Sequence, residues 1–291
     1  MASSDYAGRL EGLSQSTRSA IAQVLSKVRF EIIPLKNAVA QAGHLPRGAV
    51  ITVTASPNKG MEATMDLAAE LAESGFDVTP HLSARLHRDR AHLAATLDKA
   101  AELGIRRAFV VGGDHLHPGE FFDGLSLLEA MNEIGHPFEE VGIPAYPEGH
   151  PVIPDAKLEQ ALLDKQPYAH HLATQMCFDA GAIRSFLSEA RRRRIGLPAF
   201  LGVPGVGGRM KLLQISARIG VGDSVRFLSK NAKVVTKLLG PGGYDPGELL
   251  EGLGDRLSDP VMAIQGLHVY TFNRCEATEA WRREYLEALS Q

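Results

Sequence analysis

The stretch Ala108-Phe109-Val110-Val111-Gly112-Gly113-Asp114 decides how this chain is read. Four apolar residues suit a strand buried on both faces. Two glycines then let the backbone come close to a ligand, and a carboxylate follows. The same order of events recurs along the chain. Val28-Arg29-Phe30 leads into Glu31, and Ala49-Val50-Ile51-Thr52-Val53 ends in Thr54. Phe76-Asp77-Val78-Thr79-Pro80 delivers His81, and Val141-Gly142-Ile143-Pro144-Ala145 leads to Tyr146-Pro147-Glu148-Gly149-His150. Leu172-Ala173-Thr174 gives Gln175, and Leu267-His268-Val269-Tyr270 runs on to Asn273-Arg274. Polar groups converging from the C-terminal ends of many parallel strands are how a (β/α)8 barrel builds an active site.

Helical spacing fills the intervals. Met65, Leu67, Ala68, Leu71 and Ala72 form one apolar stripe within Met61 to Ser74. Further helices are expected over Leu10 to Lys27, Arg88 to Leu103, Gly119 to Ile134, Asp155 to Leu163, Ala180 to Arg194 and Glu276 to Leu289. Strands are expected over Val50 to Thr54, Asp77 to Leu82, Arg107 to Val111, Glu140 to Ala145, His171 to Met176, Ala199 to Val203 and Val261 to Tyr270, after the first near Val28. Parallel strands need crossover helices. The reading is an α/β chain: one (β/α)8 TIM barrel over residues 1–291, with an N-terminal helix and extra helices between strands seven and eight. An open doubly wound sheet is the rival fold, but no Gly-x-Gly-x-x-Gly follows the first strand.

Composition narrows function by exclusion. A net charge of -3 gives no electrostatic signature for nucleic acid or an acidic membrane. The run Arg191-Arg192-Arg193-Arg194 reads as a solvated helix end that offsets the helix dipole. Two cysteines, Cys177 and Cys275, make neither a disulfide framework nor a zinc spacing. No apolar run reaches the ~20 residues a bilayer span needs, and the start lacks a signal-peptide pattern. The expectation is a cytoplasmic protein with no nucleic-acid or membrane partner; a homo-oligomer stays open.

Taken together, the motifs resemble the methylenetetrahydrofolate reductase family, in its short bacterial form that consists of the catalytic barrel. The matching pieces run from Phe30-Glu31 through Thr52-Val53-Thr54, Pro80-His81-Leu82 and Gly113-Asp114 to Ala145-Tyr146-Pro147-Glu148-Gly149-His150-Pro151. They continue with Thr174-Gln175, Phe178-Asp179, Pro204-Gly205 and Tyr270-Thr271-Phe272-Asn273-Arg274. The resemblance implies an oxidoreductase of one-carbon metabolism. It also implies that FAD would be reduced by NADH or NADPH and would pass hydride to methylenetetrahydrofolate. Glu31 would be the acid that protonates the departing folate nitrogen. A carboxyl in a partly dry pocket can keep a proton for donation near neutrality. Asp114 would lie by flavin and pterin and tune hydride transfer. Gln175 and Arg274 match folate contacts, since an amide suits a pterin edge and a guanidinium suits a carboxylate or ring. Thr54, His81, Gly113, Asp114, Ala145, Tyr146, His150 and Lys165 match flavin-facing positions.

The chain departs from the family pattern in places. Gly112 stands where the family usually has an arginine. The usual adjacent basic residues are Leu163-Asp164-Lys165-Gln166-Pro167 here, and Met210 occupies a frequent aromatic position. The first two changes remove positive charge near the flavin diphosphate. These losses leave open a flavin-independent folate reductase; two further readings are a metal-dependent barrel hydrolase using His115 and His117 with His81 and His150, and a non-catalytic folate-binding barrel.

Overall fold

Alternation along each strand sends one set of side chains outward to the helices and the other into the barrel. The computed structural model describes residues 3–150, 152–206 and 245–291. Helices α1 (Ser3–Leu10) and α2 (Gln15–Ser26) precede the first strand. The described strands are β1 (Val28–Ile32), β2 (Val50–Val53), β3 (Asp77–Ser83), β4 (Arg107–Val111), β5 (Glu140–Ala145), β6 (His171–Thr174), β7 (Ala199–Pro204) and β8 (Ile264–Tyr270). Each pairs with the next in parallel, and β8 pairs with β1, so the sheet closes in chain order. The expected TIM barrel is the fold.

Around it lie α3 (Ala38–Ala42), α4 (Gly60–Glu73), α5 (Arg90–Glu102), α6 (Gly124–Ile134), α7 (Asp155–Lys165) and α8 (Ala180–Arg192). Helices α9 (Pro246–Leu253) and α10 (Cys275–Leu289) complete the described ring. The remainder of the helical region expected from Met210 lies outside the described residues. Among the described residues no helix is long and apolar enough to cross a membrane.

Several boundaries differ from expectation for local reasons. Helix α6 starts at Gly124 rather than Gly119, because Asp123 and Ser126 form a reciprocal capping box. Residue 119 is pressed against another loop, and a Cβ there would lie 2.3 Å from the Arg88 carbonyl oxygen. Strand β8 starts at Ile264 rather than Val261, since Val261 is exposed and Ala263 takes a positive φ of 50°. The arginine run is more than a solvated helix end. Arg191 donates to the carbonyls of Val261 at 3.1 Å and Met262 at 2.8 Å, clamping the entry to β8. Arg193 pairs with Glu159 at 2.9 Å and Glu189 at 2.7 Å.

The outward residues, among them Phe30, Ile32, Ile51, Val78, Val110, Ile143, Leu201 and Val269, join the helices in one apolar core. Inside the barrel the chemistry changes. Phe109, Ala173 and Phe200 form a separate small cluster. Beneath it Arg29 of β1 donates to Glu140 of β5, and its other nitrogen lies 3.1 Å from His171 Nε2 of β6. In an eight-stranded barrel β1 and β5 face each other, so this bond runs through the interior. The Arg29 guanidinium also stacks 3.8 Å over the Phe200 ring. Arg107 and Asp77 extend the network, joined by hydrogen bonds of 2.9 and 3.1 Å. Burying these charges is costly unless all are paired.

Burial also pushes the imidazoles of His81, His87 and His171 down to about 4. The folded chain then binds fewer protons than the unfolded chain between pH 4 and 6.5. Stability from these groups is full above pH 6.5 and is lost as pH falls toward 4. Urea unfolding between pH 7 and 4.5 is predicted to show stability falling by up to about 4 kcal/mol per pH unit near pH 5. A flat profile there would show that the three rings are not buried in neutral form.

Candidate active site at the barrel mouth

The C-terminal ends of the strands surround a cavity of about 250 Å³. Its described lining includes Glu31, Thr54, His81, Gly113, Asp114, Tyr146 and Gln175, with Phe109, Tyr270 and Phe272. The sequence named the first seven of these, and they meet in one place because each sits within two residues of a strand end or in the loop just past it. Ala145 is fully buried behind the lining, where its carbonyl accepts from the Gln175 amide at 2.7 Å. His150 lies edge-on to Tyr146, with ring centres 5.1 Å apart. Its Nδ1 accepts from the backbone of Val152 and Ile153, so it organises the loop after β5. Arg274 flanks α10 and is not among the cavity-lining residues.

Glu31 sits where β1 closes on β8. Thr271 Oγ1 donates to the Glu31 carbonyl at 2.6 Å, and the Thr271 amide bonds the same oxygen at 3.3 Å. Asn273 spans the same seam. Its Oδ1 accepts from the Ile33 amide at 2.8 Å, and its Nδ2 donates to the Ile33 carbonyl at 2.9 Å. Phe272 and Asn273 both have positive φ, at 51° and 53°. This bend carries Phe272 to the rim while Asn273 reaches back to β1. The Tyr-Thr-Phe-Asn-Arg motif thus fixes the backbone that presents Glu31.

The Glu31 carboxylate is mostly buried and meets two histidines. Its Oε2 lies 3.0 Å from His268 Nε2 and 3.8 Å from His81 Nε2. One hydrogen is shared across the shorter gap, with donor and acceptor set by the tautomer. His268 is 1% exposed and was not among the sequence-stated site residues. It lies in the apolar run of β8, which reads as core. Its alternation with Tyr270 was the available signal, since both point to the barrel axis. His81 Nε2 is buried with no hydrogen-bond partner among the described residues. Desolvation dominates the downward shift of His81, and the Glu31 charge opposes it, so the ring is neutral at pH 7.

Two tyrosines stay protonated. Burial, reinforced by the Asp114 charge, pushes Tyr146 up to about 12. Tyr270 is raised well above its ordinary value by burial and donates to the Thr174 carbonyl at 3.2 Å. The Gln175 side-chain oxygen accepts from the Met176 amide at 2.8 Å, leaving its NH2 group for a ligand. Arg85 donates to the carbonyls of His115 at 3.2 Å and Phe122 at 3.1 Å, tethering the loop that carries Asp114.

A second cavity of about 520 Å³ lies between α7 and α8 and shares Pro144 and Tyr146 with the first. Lys165 lines it, with a carbon against residue 124, and burial lowers its pKa despite nearby Asp123. Cations are scarce: the described lining of the mouth has no lysine or arginine, and Arg193 is paired with Glu159 and Glu189. For the hydrolase reading, His115 Nδ1 is hydrogen-bonded to the His117 carbonyl at 2.8 Å, and neither ring is among those lining the mouth.

A family model described as methylenetetrahydrofolate reductase matches residues 34–222. Among solved structures, a Burkholderia cenocepacia J2315 protein provisionally described as a lyase/mutase is 13% identical, with TM-score 0.46, covering 92% of this chain and 85% of its own. A protein provisionally described as a deoxyribose-phosphate aldolase from Toxoplasma gondii ME49 is 10% identical, with TM-score 0.48, covering 93% and 99%. These two likenesses carry no argument about activity.

The glycine pair at the mouth provides a local test. Gly113 has φ of 84°, and a Cβ there would lie 2.0 Å from Ser83 Oγ, whereas a Cβ at Gly112 has nothing nearer than 3.8 Å. Gly113→Ala is predicted to destabilise by about 1–3 kcal/mol, and Gly112→Ala by no more than about 0.5 kcal/mol. Urea titrations of both variants check this, and equal losses would contradict the geometry.

Proposed function

Because the chain belongs to the methylenetetrahydrofolate reductase family, matched over residues 34–222, we propose that its barrel mouth reduces 5,10-methylenetetrahydrofolate to 5-methyltetrahydrofolate, or runs the reverse oxidation. NADH or NADPH is the redox partner. The observation that carries this reading is the Glu31–His268 pair, 3.0 Å apart at the edge of a cavity that also holds Asp114, Tyr146 and Gln175.

The reaction needs a proton and a hydride at different atoms. Opening the methylene bridge breaks one carbon–nitrogen bond, and the departing nitrogen takes a proton from the Glu31–His268 pair. The remaining iminium carbon is positive, and the Asp114 carboxylate in the same cavity favours that charge. Hydride then reaches the iminium carbon and completes the methyl group. The Gln175 NH2 is suited to a pterin acceptor. Arg274 is assigned, on family resemblance, to the outer part of the folate.

FAD would use both cavities, which share Pro144 and Tyr146 in their linings. Thr54, His81, Gly113, Asp114 and Tyr146 would surround its ring, the Ala145 and His150 backbone would shape the wall, and Lys165 would meet its diphosphate. When bound, FAD supplies a two-electron relay between nicotinamide and folate. The lack of lysine and arginine among the described residues lining the mouth favours a second reading, in which nicotinamide gives hydride directly to folate on the same acid.

Glu31→Gln is predicted to keep the fold and lower folate turnover by about 10²–10⁴-fold, the usual worth of a general acid. An assay of folate-dependent NAD(P)H oxidation checks it; near-normal turnover would remove Glu31 from the role. Flavin retention is predicted to be weak. Each missing charge-assisted bond costs about 1.5–3 kcal/mol, so FAD should be partly lost on dialysis. Gly112→Arg has room at Cβ and should improve retention. Stoichiometric FAD that survives extensive dialysis would contradict this, and turnover by colourless protein would select the flavin-free route.

A further inference from the structure

Glu31, His81 and His268 approach one another from three strands, β1, β3 and β8. Their nearest ligand atoms all lie within 4.8 Å of one another. Two histidines and one carboxylate form the donor set of a zinc site with an open position. Tetrahedral zinc with bonds near 2.0–2.2 Å requires ligand atoms about 3.3 Å apart. The observed Glu31 separations, 3.0 Å to His268 and 3.8 Å to His81, straddle that value. The remaining edge, between the two rings, is no longer than 4.8 Å, and metal binding would require the rings to turn toward each other.

Three further observations point to a ligand. His81 Nε2 is buried and lacks a partner among the described residues. Glu31 and His81 line the mouth cavity, with His268 buried beside Glu31, and the described lining holds no lysine or arginine to repel a cation and adds the Asp114 carboxylate. Below, the Phe109 ring lies 4.8 Å from His81 and 5.8 Å from His268, so the two imidazoles rest on an apolar wall.

We propose that Glu31, His81 and His268 bind a divalent first-row transition-metal ion, with zinc as the preferred probe, and that occupancy inhibits the enzyme. The metal replaces the hydrogen shared by Glu31 and His268 and takes the carboxylate oxygen that the acid role needs. No covalent bond of the substrate changes. The inhibitory half rests on the proposed reductase reading; the binding half does not. Among the described residues no hydrogen bond supports the outer nitrogen of either ring. Such support is usually worth 10–100-fold in metal affinity, so binding is reversible and the site is not that of a resident structural ion.

Protein stripped with a chelator is titrated with Zn²⁺ in competition with a chromophoric chelator. One ion per chain in the micromolar range is expected. His81→Ala and His268→Gln, the second keeping a hydrogen-bond donor for Glu31, should each weaken binding at least tenfold while circular dichroism is unchanged. A His115→Ala/His117→Ala variant should bind normally. The visible absorption of Co²⁺ bound in place of zinc, and its loss in Glu31→Gln, gives a readout independent of turnover. Folate-dependent NAD(P)H oxidation should fall with the same half-saturation, recover on adding chelator, and ignore Mg²⁺. Binding undiminished in both histidine variants, or abolished in the His115/His117 variant, overturns the site. Zinc binding sensitive to His81 and His268 in a protein without folate turnover would sustain the site and sink the reductase reading. Folate turnover without zinc binding would do the reverse.

Discussion

The seam between β1 and β8 is the constraint on which the mouth depends. A sheet of eight parallel strands closes only if its last strand meets its first in register. Here that register sets Glu31 opposite Tyr270. Thr271 and Asn273 then tie the ends of the two strands together through the backbone at Glu31 and Ile33. With the backbone held, the Glu31 carboxylate has little freedom, and His268 from the neighbouring strand meets it at 3.0 Å. Closure of the fold and assembly of the proposed acid are therefore one event.

The barrel interior divides into two chemistries stacked along its axis. The lower layer is charged: Arg29 donates to Glu140 across the lumen and lies 3.1 Å from His171 Nε2, His171 Nδ1 lies 2.9 Å from Glu140, and Arg107 and Asp77 finish the network. The middle layer is apolar, made of Phe109, Ala173 and Phe200. Buried ion pairs contribute little net stability, but removing one partner is expensive because the other charge is stranded. The intact network therefore adds little net stability, while loss of one of its members is expected to be costly. The glutamate of this network is held well below the usual carboxylate range, first by its hydrogen bond to His171 and then by Arg29, against the penalty of burial.

Much of this was legible in the sequence, and the rest has physical reasons for being hidden. Apolar runs ending in polar clusters gave the strand ends, so Glu31, His81, Asp114, Tyr146 and Gln175 could be named before any geometry. Strands β4 and β5 fall where the pattern puts them. His268 escaped because a polar residue inside Leu267-His268-Val269-Tyr270 reads as a tolerated core histidine; only the closed barrel puts it beside Glu31. Arg29 escaped for the same reason, since its partners lie on strands more than a hundred residues away. The start of α6 depended on a capping pair rather than on apolar spacing. The arginine run showed a helix end, but nothing local revealed that Arg191 reaches the carbonyls before β8.

The apolar middle layer has a consequence for solvent exchange. Phe109 and Phe200, with the stacked Arg29 beneath, separate the Glu31–His268 pair from the lower end of the barrel. Among the described residues the mouth cavity, lined by Glu31, is an opening through which solvent reaches that pair. A ligand that fills the mouth stoppers this route. On the reductase reading, a bound folate would shield the acid from solvent, so that its proton would be replaced through the mouth after product leaves.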